Sequence, residues 1–192
     1  MVSGFEGLRD FFCEVDRSER VKGRVPYAQK EGRIWGVSSL ESWFSAFERI
    51  GLERFDRFVD LGSGDGRVVF LASLFTEAVG IEMDDELVER SRLFKGELEE
   101  KGLIPRNRIV FEQGDYLKSD LSGFDCVGIF PDRSFLLSFQ RKLAREVKGV
   151  VLVYERLHLP SLLGKGVSVG AEDLPVFSFD LRSISSEVVL KL

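Results

Sequence analysis

The stretch FVDLGSGDGRVVF, Phe58 to Phe70, decides the fold. Gly62, Gly64 and Gly66 stand at alternate positions between two apolar runs, with Asp60 before them and Asp65 among them. Glycine inside a helix or strand costs roughly 0.5–1 kcal/mol, so this cluster marks a bend that needs bare backbone. RFVDL ahead of it reads as a strand, and GRVVFLASLF reads as a helix starting near Gly66. A strand-to-helix bend of this kind brings backbone N–H groups to the carboxyl end of a sheet, where α/β folds bind ligands. Close packing alone also uses such bends, so a second signal is needed.

That signal is EAVGIE, a strand whose last residue, Glu82, lies 22 positions beyond Asp60. An acid about 20 residues past a glycine bend accepts hydrogen bonds from the ribose diol of a nucleotide. Otherwise it would cap the following helix. A dinucleotide fingerprint requires G-x-G-x-x-G, and Arg67 occupies the slot of the third glycine. No Gly-Lys-Ser/Thr tripeptide forms a P-loop, and no G-x-S-x-G makes Ser63 a hydrolase nucleophile. An acidic bend suits an adenosine ligand bearing an ammonium and a sulfonium better than a pyrophosphate.

The same alternation continues down the chain. DDELVERSRLFKGELEEKG reads as a helix capped by Asp84 and stopped by Gly102. RIVFEQ, FDCVGIF and GVVLVYE read as strands, with the helix RSFLLSFQRKLAREV between the last two. Near-continuous apolar strands between helices imply a parallel sheet covered on both faces. Ahead of this core, Phe5, Leu8, Phe12 and Val15 recur at helical spacing behind a Ser3–Glu6 capping box. DRSERVKGRVPYAQKEGR follows as extended chain or loop. Ser38 with Glu41 suggests a second capping box, for a helix carrying Leu40, Trp43, Phe44, Phe47 and Ile50 that Gly51 ends. At the other end, Gly164, Gly166 and Gly170 read as a loop, and VFSFDLRSI and EVVLKL as an antiparallel hairpin closing one sheet edge.

Composition narrows the function. The 192 residues suffice for one domain, read as a helical cap (1–55), a binding core (56–155) and closing strands (156–192). Net charge is −5, against the basic excess of a phosphate-neutralising nucleic-acid binder. Cys13, Cys126 and His158 are the only cysteines and histidine, too few for a four-ligand zinc site. Cys126 reads as a buried free thiol. The N-terminus lacks an apolar signal region and no run approaches a membrane span, so the chain reads as cytoplasmic.

VDLGSGDG, VGIEMD, FEQGDYL and FDCVGIF, in this order and spacing, resemble the successive motifs of class I S-adenosylmethionine-dependent methyltransferases. The resemblance implies a Rossmann-like, doubly wound, mostly parallel seven-stranded sheet with a C-terminal antiparallel hairpin. It implies S-adenosylmethionine as cofactor, S-adenosylhomocysteine as product, and no metal. Asp60, Gly62, Ser63 and Gly64 would line the methionine half, and Glu82 would hold the ribose diol with Met83 beside the adenine. Asp115 would accept from the adenine amino group, with Tyr116 and Leu117 nearby. Phe130 to Asp132 would sit beside the reactive methyl.

The end of the fourth core strand bears on the acceptor. FPDRSF departs from the Asn/Asp-Pro-Pro-Tyr/Phe of amine methylation on adenine or glutamine. Asp132 with Phe135 is similar to the acid-x-x-aromatic signature of some protein-lysine methyltransferases; otherwise Asp132 would cap the next helix. VPY at Val25–Tyr27, DLGSGDGRVVF, GIEMDDELVERSR and KLAREV resemble the small lysine methyltransferases of mitochondrial carrier and ATP-synthase subunits and their prokaryotic relatives. By that likeness Tyr27 would lie over the cofactor, Asp132 would orient a protein lysine, and Phe130, Phe135, Tyr154 and Trp35 could form its channel. A small molecule or RNA base as acceptor stays open, as does a non-catalytic S-adenosylmethionine-binding module.

Overall fold

The computed structural model describes residues 4–23, 27–30, 33–171 and 175–183. Helix α1 spans Phe5–Val21, and strands β1 (Tyr27–Lys30) and β2 (Arg33–Gly36) pair antiparallel. Helix α2 (Leu40–Ile50) leads into the bend through β3 (Arg57–Leu61) and α3 (Arg67–Ala72). Then come β4 (Glu77–Glu82), α4 (Asp85–Glu100), β5 (Ile109–Gln113), β6 (Cys126–Ile129), α5 (Leu137–Glu146) and β7 (Val150–Tyr154). Strands β8 (Val167–Ser168) and β9 (Val176–Asp180) finish the described chain.

Seven strands form one sheet in the order β5-β4-β3-β6-β7-β9-β8. The first five are parallel, and β9 runs antiparallel to β7 and to β8. The C-terminal hairpin is therefore built from Val167–Ser168 and Val176–Asp180; EVVLKL lies outside the described residues. The chain leaves β3 toward β4 on one side and meets β6 on the other, which opens a crevice above the glycine bend.

Side-chain alternation assigns the two faces. Phe58, Ala78, Phe111, Cys126 and Leu152 point to a core shared with α1 to α4. Val59, Leu61, Val79, Ile81, Val127, Ile129, Val151 and Val153 point to the other, covered by Phe139 and Leu143 of α5 and by Leu121, Phe124 and Leu163. Each such buried side chain stabilises by roughly 1.5–3 kcal/mol.

Several local expectations shift. Helix α1 runs on through DRSERV to Val21, because Arg17, Glu19 and Arg20 favour a helix and neither glycine nor proline interrupts it before Gly23, and Gly4, with no side-chain cap, precedes it. Ser3 lies outside the described residues. The cap of α2 is Ser39, whose Oγ accepts from Ser42 N, while Ser38 Oγ accepts from the Trp43 indole. Asp84 caps α4 as expected, accepting from Glu86 N and Leu87 N. Helix α5 starts only at Leu137, so Asp132 is not its cap.

Candidate active site

The glycine bend sits at the carboxyl end of β3. Gly62, Gly64 and Gly66 have φ of 79°, 55° and 80°, the left-handed region that favours glycine. Gly62 N and Ser63 N donate to Ile81 O of β4, at 2.8 and 3.2 Å. Beneath the bend lies Gly80, where a Cβ would stand 2.6 Å from Ser63 Oγ. The bend can lie flat on β4 only because that strand has no side chain there.

Glu82, at the tip of β4, ties the bend to its neighbour. Its Oε2 accepts from Gly64 N at 2.9 Å, and its Oε1 from Met83 N and Asp84 N at 2.7 and 3.0 Å. A carboxylate offers about four lone-pair sites, so these three bonds fix its plane and leave acceptor capacity for an incoming hydroxyl. Met83 is exposed beside it.

Asp60 is buried, and no group among the described residues hydrogen-bonds or ion-pairs with its carboxyl. Burial, reinforced by the charges of Glu82 and Asp65, pushes its pKa from 3.8 to about 8. Ser63 Oγ beside it is buried and has no partner among the described residues. The crevice is walled by these groups, by Gly36 and Ser38, and by Trp43 and Phe130. An unpartnered carboxyl lining the crevice fits a ligand that brings a cation, while the Ser63 hydroxyl is turned under the bend against β4.

Two further walls come from neighbouring strand ends. After β5, Asp115 Oδ1 accepts from Leu117 N at 3.0 Å, and its backbone carbonyl takes Lys118 N and Ser119 N. Tyr116 packs against Phe139, and its hydroxyl pKa is raised by burial and by the charge of Asp132. After β6, the Phe130 ring meets Tyr154 at 4.8 Å; Tyr154 in turn stacks on Trp43 at 5.8 Å and accepts from Ser39 N. Asp132 takes both Arg133 Nε and Nη2, at 2.9 and 2.7 Å.

Phe135 does not join Phe130. It stacks on Phe139 of α5 and packs with the opposite core, because the chain after β6 passes to α5 on the other face of the sheet. An aromatic channel drawing on both rings is therefore not assembled. The side chains of Tyr27 and Trp35 lie outside the described residues.

Two features escape sequence reading. Arg67, read only as a missing glycine, is buried between Asp65 and Asp16 of α1. Glu155, at the tip of β7, holds φ of 91° without being glycine, and its Oε2 lies 4.0 Å from His158 Nδ1. Backbone strain of this kind clusters at functional sites. Among the described residues no group of three His, Cys, Asp or Glu side chains could hold a metal ion, and no helix is long and apolar enough to cross a membrane.

The family model described as Histone methylation protein DOT1 matches residues 17–121. The chain belongs to the DOT1 family. No curated protein matches the chain. Among solved structures it is similar to an RNA methyltransferase from Salinibacter ruber in complex with S-adenosyl-L-homocysteine, at 25% identity and a TM-score of 0.58, over 79% of this chain and 97% of that one. A methyltransferase from Geobacter sulfurreducens shares the fold at a TM-score of 0.61 and 14% identity, over 88% and 87% of the two chains. So does the T. thermophilus 16S rRNA N2 G1207 methyltransferase, at 0.55 and 20%, over 80% of this chain and 49% of that one. This DOT1-family chain is an S-adenosylmethionine-dependent methyltransferase with the class I, Rossmann-like fold.

Proposed function

We propose that the chain N-methylates a protein lysine. The observation that carries this reading is that the neighbouring strands β6 and β7 are each followed by a carboxylate, Asp132 and Glu155, with the Phe130 ring packed on Tyr154 between the two strand ends. The chain's net charge of −5 favours a cationic acceptor over a phosphate backbone. The resemblance to small lysine methyltransferases and the DOT1 family's own description support the same acceptor.

In this reading Asp60, Gly62, Ser63 and Gly64 receive the methionine half of the cofactor, with Asp60 facing its ammonium. Glu82 accepts from the ribose diol, Met83 and Tyr116 flank the adenine, and Asp115 accepts from its amino group. Bound S-adenosylmethionine supplies a methyl already activated on sulfonium, transferred in line to a lone pair. The protein's task is positioning. Phe130 and Pro131 exclude water from the acceptor side. A lysine amine, with an ordinary pKa of about 10.4, loses its proton more readily when desolvated there. Asp132, its plane fixed by Arg133, orients that amine, and Tyr27 covers the cofactor.

Glu82→Ala is expected to weaken S-adenosylhomocysteine binding by roughly 1.5–3 kcal/mol, or about 10- to 150-fold, measured by calorimetry. Unchanged affinity would remove Glu82 from the site. Asp132→Asn is expected to slow methyl transfer about 10- to 100-fold while leaving that affinity intact.

One observation favours a second reading, an RNA acceptor: the Salinibacter ruber RNA methyltransferase aligns over 97% of its length. Methyl transfer from radiolabelled S-adenosylmethionine into a cell extract separates the two. Label lost to protease supports protein; label lost to nuclease, and kept after protease, overturns it.

A further inference from the structure

We propose that α1 is a positioning element of the methyl-donor site, coupled to the glycine bend through Arg67. The inference rests on the reading of that bend as the cofactor's seat. The Arg67 guanidinium has its Nε 3.1 and 3.2 Å from the two oxygens of Asp65, and its Nη2 2.7 Å from Oδ2. Its outer edge reaches α1, with Nη1 3.2 Å and Nη2 2.8 Å from the oxygens of Asp16. Its face lies 4.8 Å from the Phe12 ring, also of α1. One side chain thus holds the bend with one edge and the N-terminal helix with the other.

Burial makes the arrangement more than a surface pair. The Arg67 and Asp65 side chains are only 6% and 4% exposed. Burial disfavours the Arg67 charge, and Asp65 and Asp16 more than offset it, so its pKa rises. A buried ion network is weak as a source of stability, because an apolar replacement of equal shape stabilises as well. What it adds is a fixed relation between the groups it joins. Here those groups are Asp65, which also accepts from Arg67 N at the glycine-capped start of α3, and a helix remote in sequence. Removing Asp16 leaves the buried Arg67–Asp65 pair balanced in charge but takes away both hydrogen bonds at the outer edge of the guanidinium, and with them its tie to α1.

The DOT1 match begins at residue 17, so Asp16 and Phe12 lie outside it while Asp65 and Arg67 lie inside. The match thus starts within the last turns of α1, and the clamp joins a residue ahead of it to two within it. Coupling is reciprocal: if docked α1 favours the cofactor, the cofactor must favour docked α1.

Hydrogen exchange of the full chain, with and without S-adenosylhomocysteine, tests this. Expected are slower exchange in residues 62–67 and, in the same sample, slower exchange in α1. In Asp16→Asn, affinity for S-adenosylhomocysteine is expected to fall about fivefold or more, with the bend still protected by ligand and α1 no longer so. Asp16→Glu, which keeps the charge, restores both. Protection of the bend without α1 in the wild-type chain overturns the coupling and leaves the cofactor seat standing. No protection of the bend overturns both. The wild-type comparison decides the matter even where a variant does not fold.

Discussion

Affinity for S-adenosylhomocysteine is expected to rise about tenfold per pH unit between roughly pH 6 and pH 8, and then to level off. The cause is Asp60. Its buried carboxyl keeps a proton up to about pH 8 in the empty crevice, because burial and the nearby Glu82 and Asp65 oppose its charge. A ligand ammonium removes that opposition, so binding expels the proton. Calorimetry at pH 7 in two buffers of different ionisation enthalpy would read nearly one proton released. Asp60→Asn should flatten the profile near the low-pH affinity. A flat wild-type profile without proton release would show that no cation meets Asp60.

The ligand-free protein should show the opposite trend. An acid whose folded pKa is raised contributes stability that is present below pH 4 and lost as pH rises through 8. A shift from 3.8 to about 8 corresponds to a cost on the order of 5 kcal/mol once the group is ionised. Asp60→Asn is therefore expected to raise the melting temperature of the ligand-free protein at pH 8 while weakening binding. Binding is thus served at the expense of stability, by an acid kept in an unfavourable place.

Gly149→Ala is expected to destabilise the protein by about 3 kcal/mol or more, lowering Tm by roughly 10 °C. An added Cβ would stand 1.8 Å from the backbone oxygen of Asp125. That oxygen accepts from Val150 N, and Gly149 O accepts from Leu181 N. The methyl can enter only by prising the start of β7 from its neighbours, and the obstacle is backbone that no rotamer change can move. Gly96 on exposed α4 provides the contrast, since nothing lies within 4 Å of its added Cβ. Gly96→Ala should stabilise by about 0.5–1 kcal/mol. Equal thermal stability of the two variants would refute the packing argument.

The legible parts of the fold are those whose signal is local. RFVDL and EAVGIE match β3 and β4 residue for residue, because apolar runs bounded by a glycine bend or an Asp cap leave little choice of ends. The end of α1 was less legible, because its polar last turns carry charges that serve solvent and loop equally well. Asp60 and Glu82 stand out in the sequence because they fall at the carboxyl ends of two successive strands on either side of the glycine bend. The Arg67 clamp could not, since Asp16 lies 51 residues away and an ion pair between distant segments leaves no local pattern. The face on which Phe135 packs leaves no local signal either. Five residues past Phe130 the chain has crossed to the other core, and spacing alone does not report a change of face.

The contact between Ser39 N and the Tyr154 hydroxyl joins positions 115 residues apart. One wall of the crevice, from Ser38 to Trp43, thus rests on the last parallel strand to be synthesised among the described residues. A nascent chain that has not yet added β7 already possesses the whole glycine bend and Glu82, but not the support of that wall. During synthesis the crevice can therefore gain this wall's support only once the chain through Tyr154 has been made.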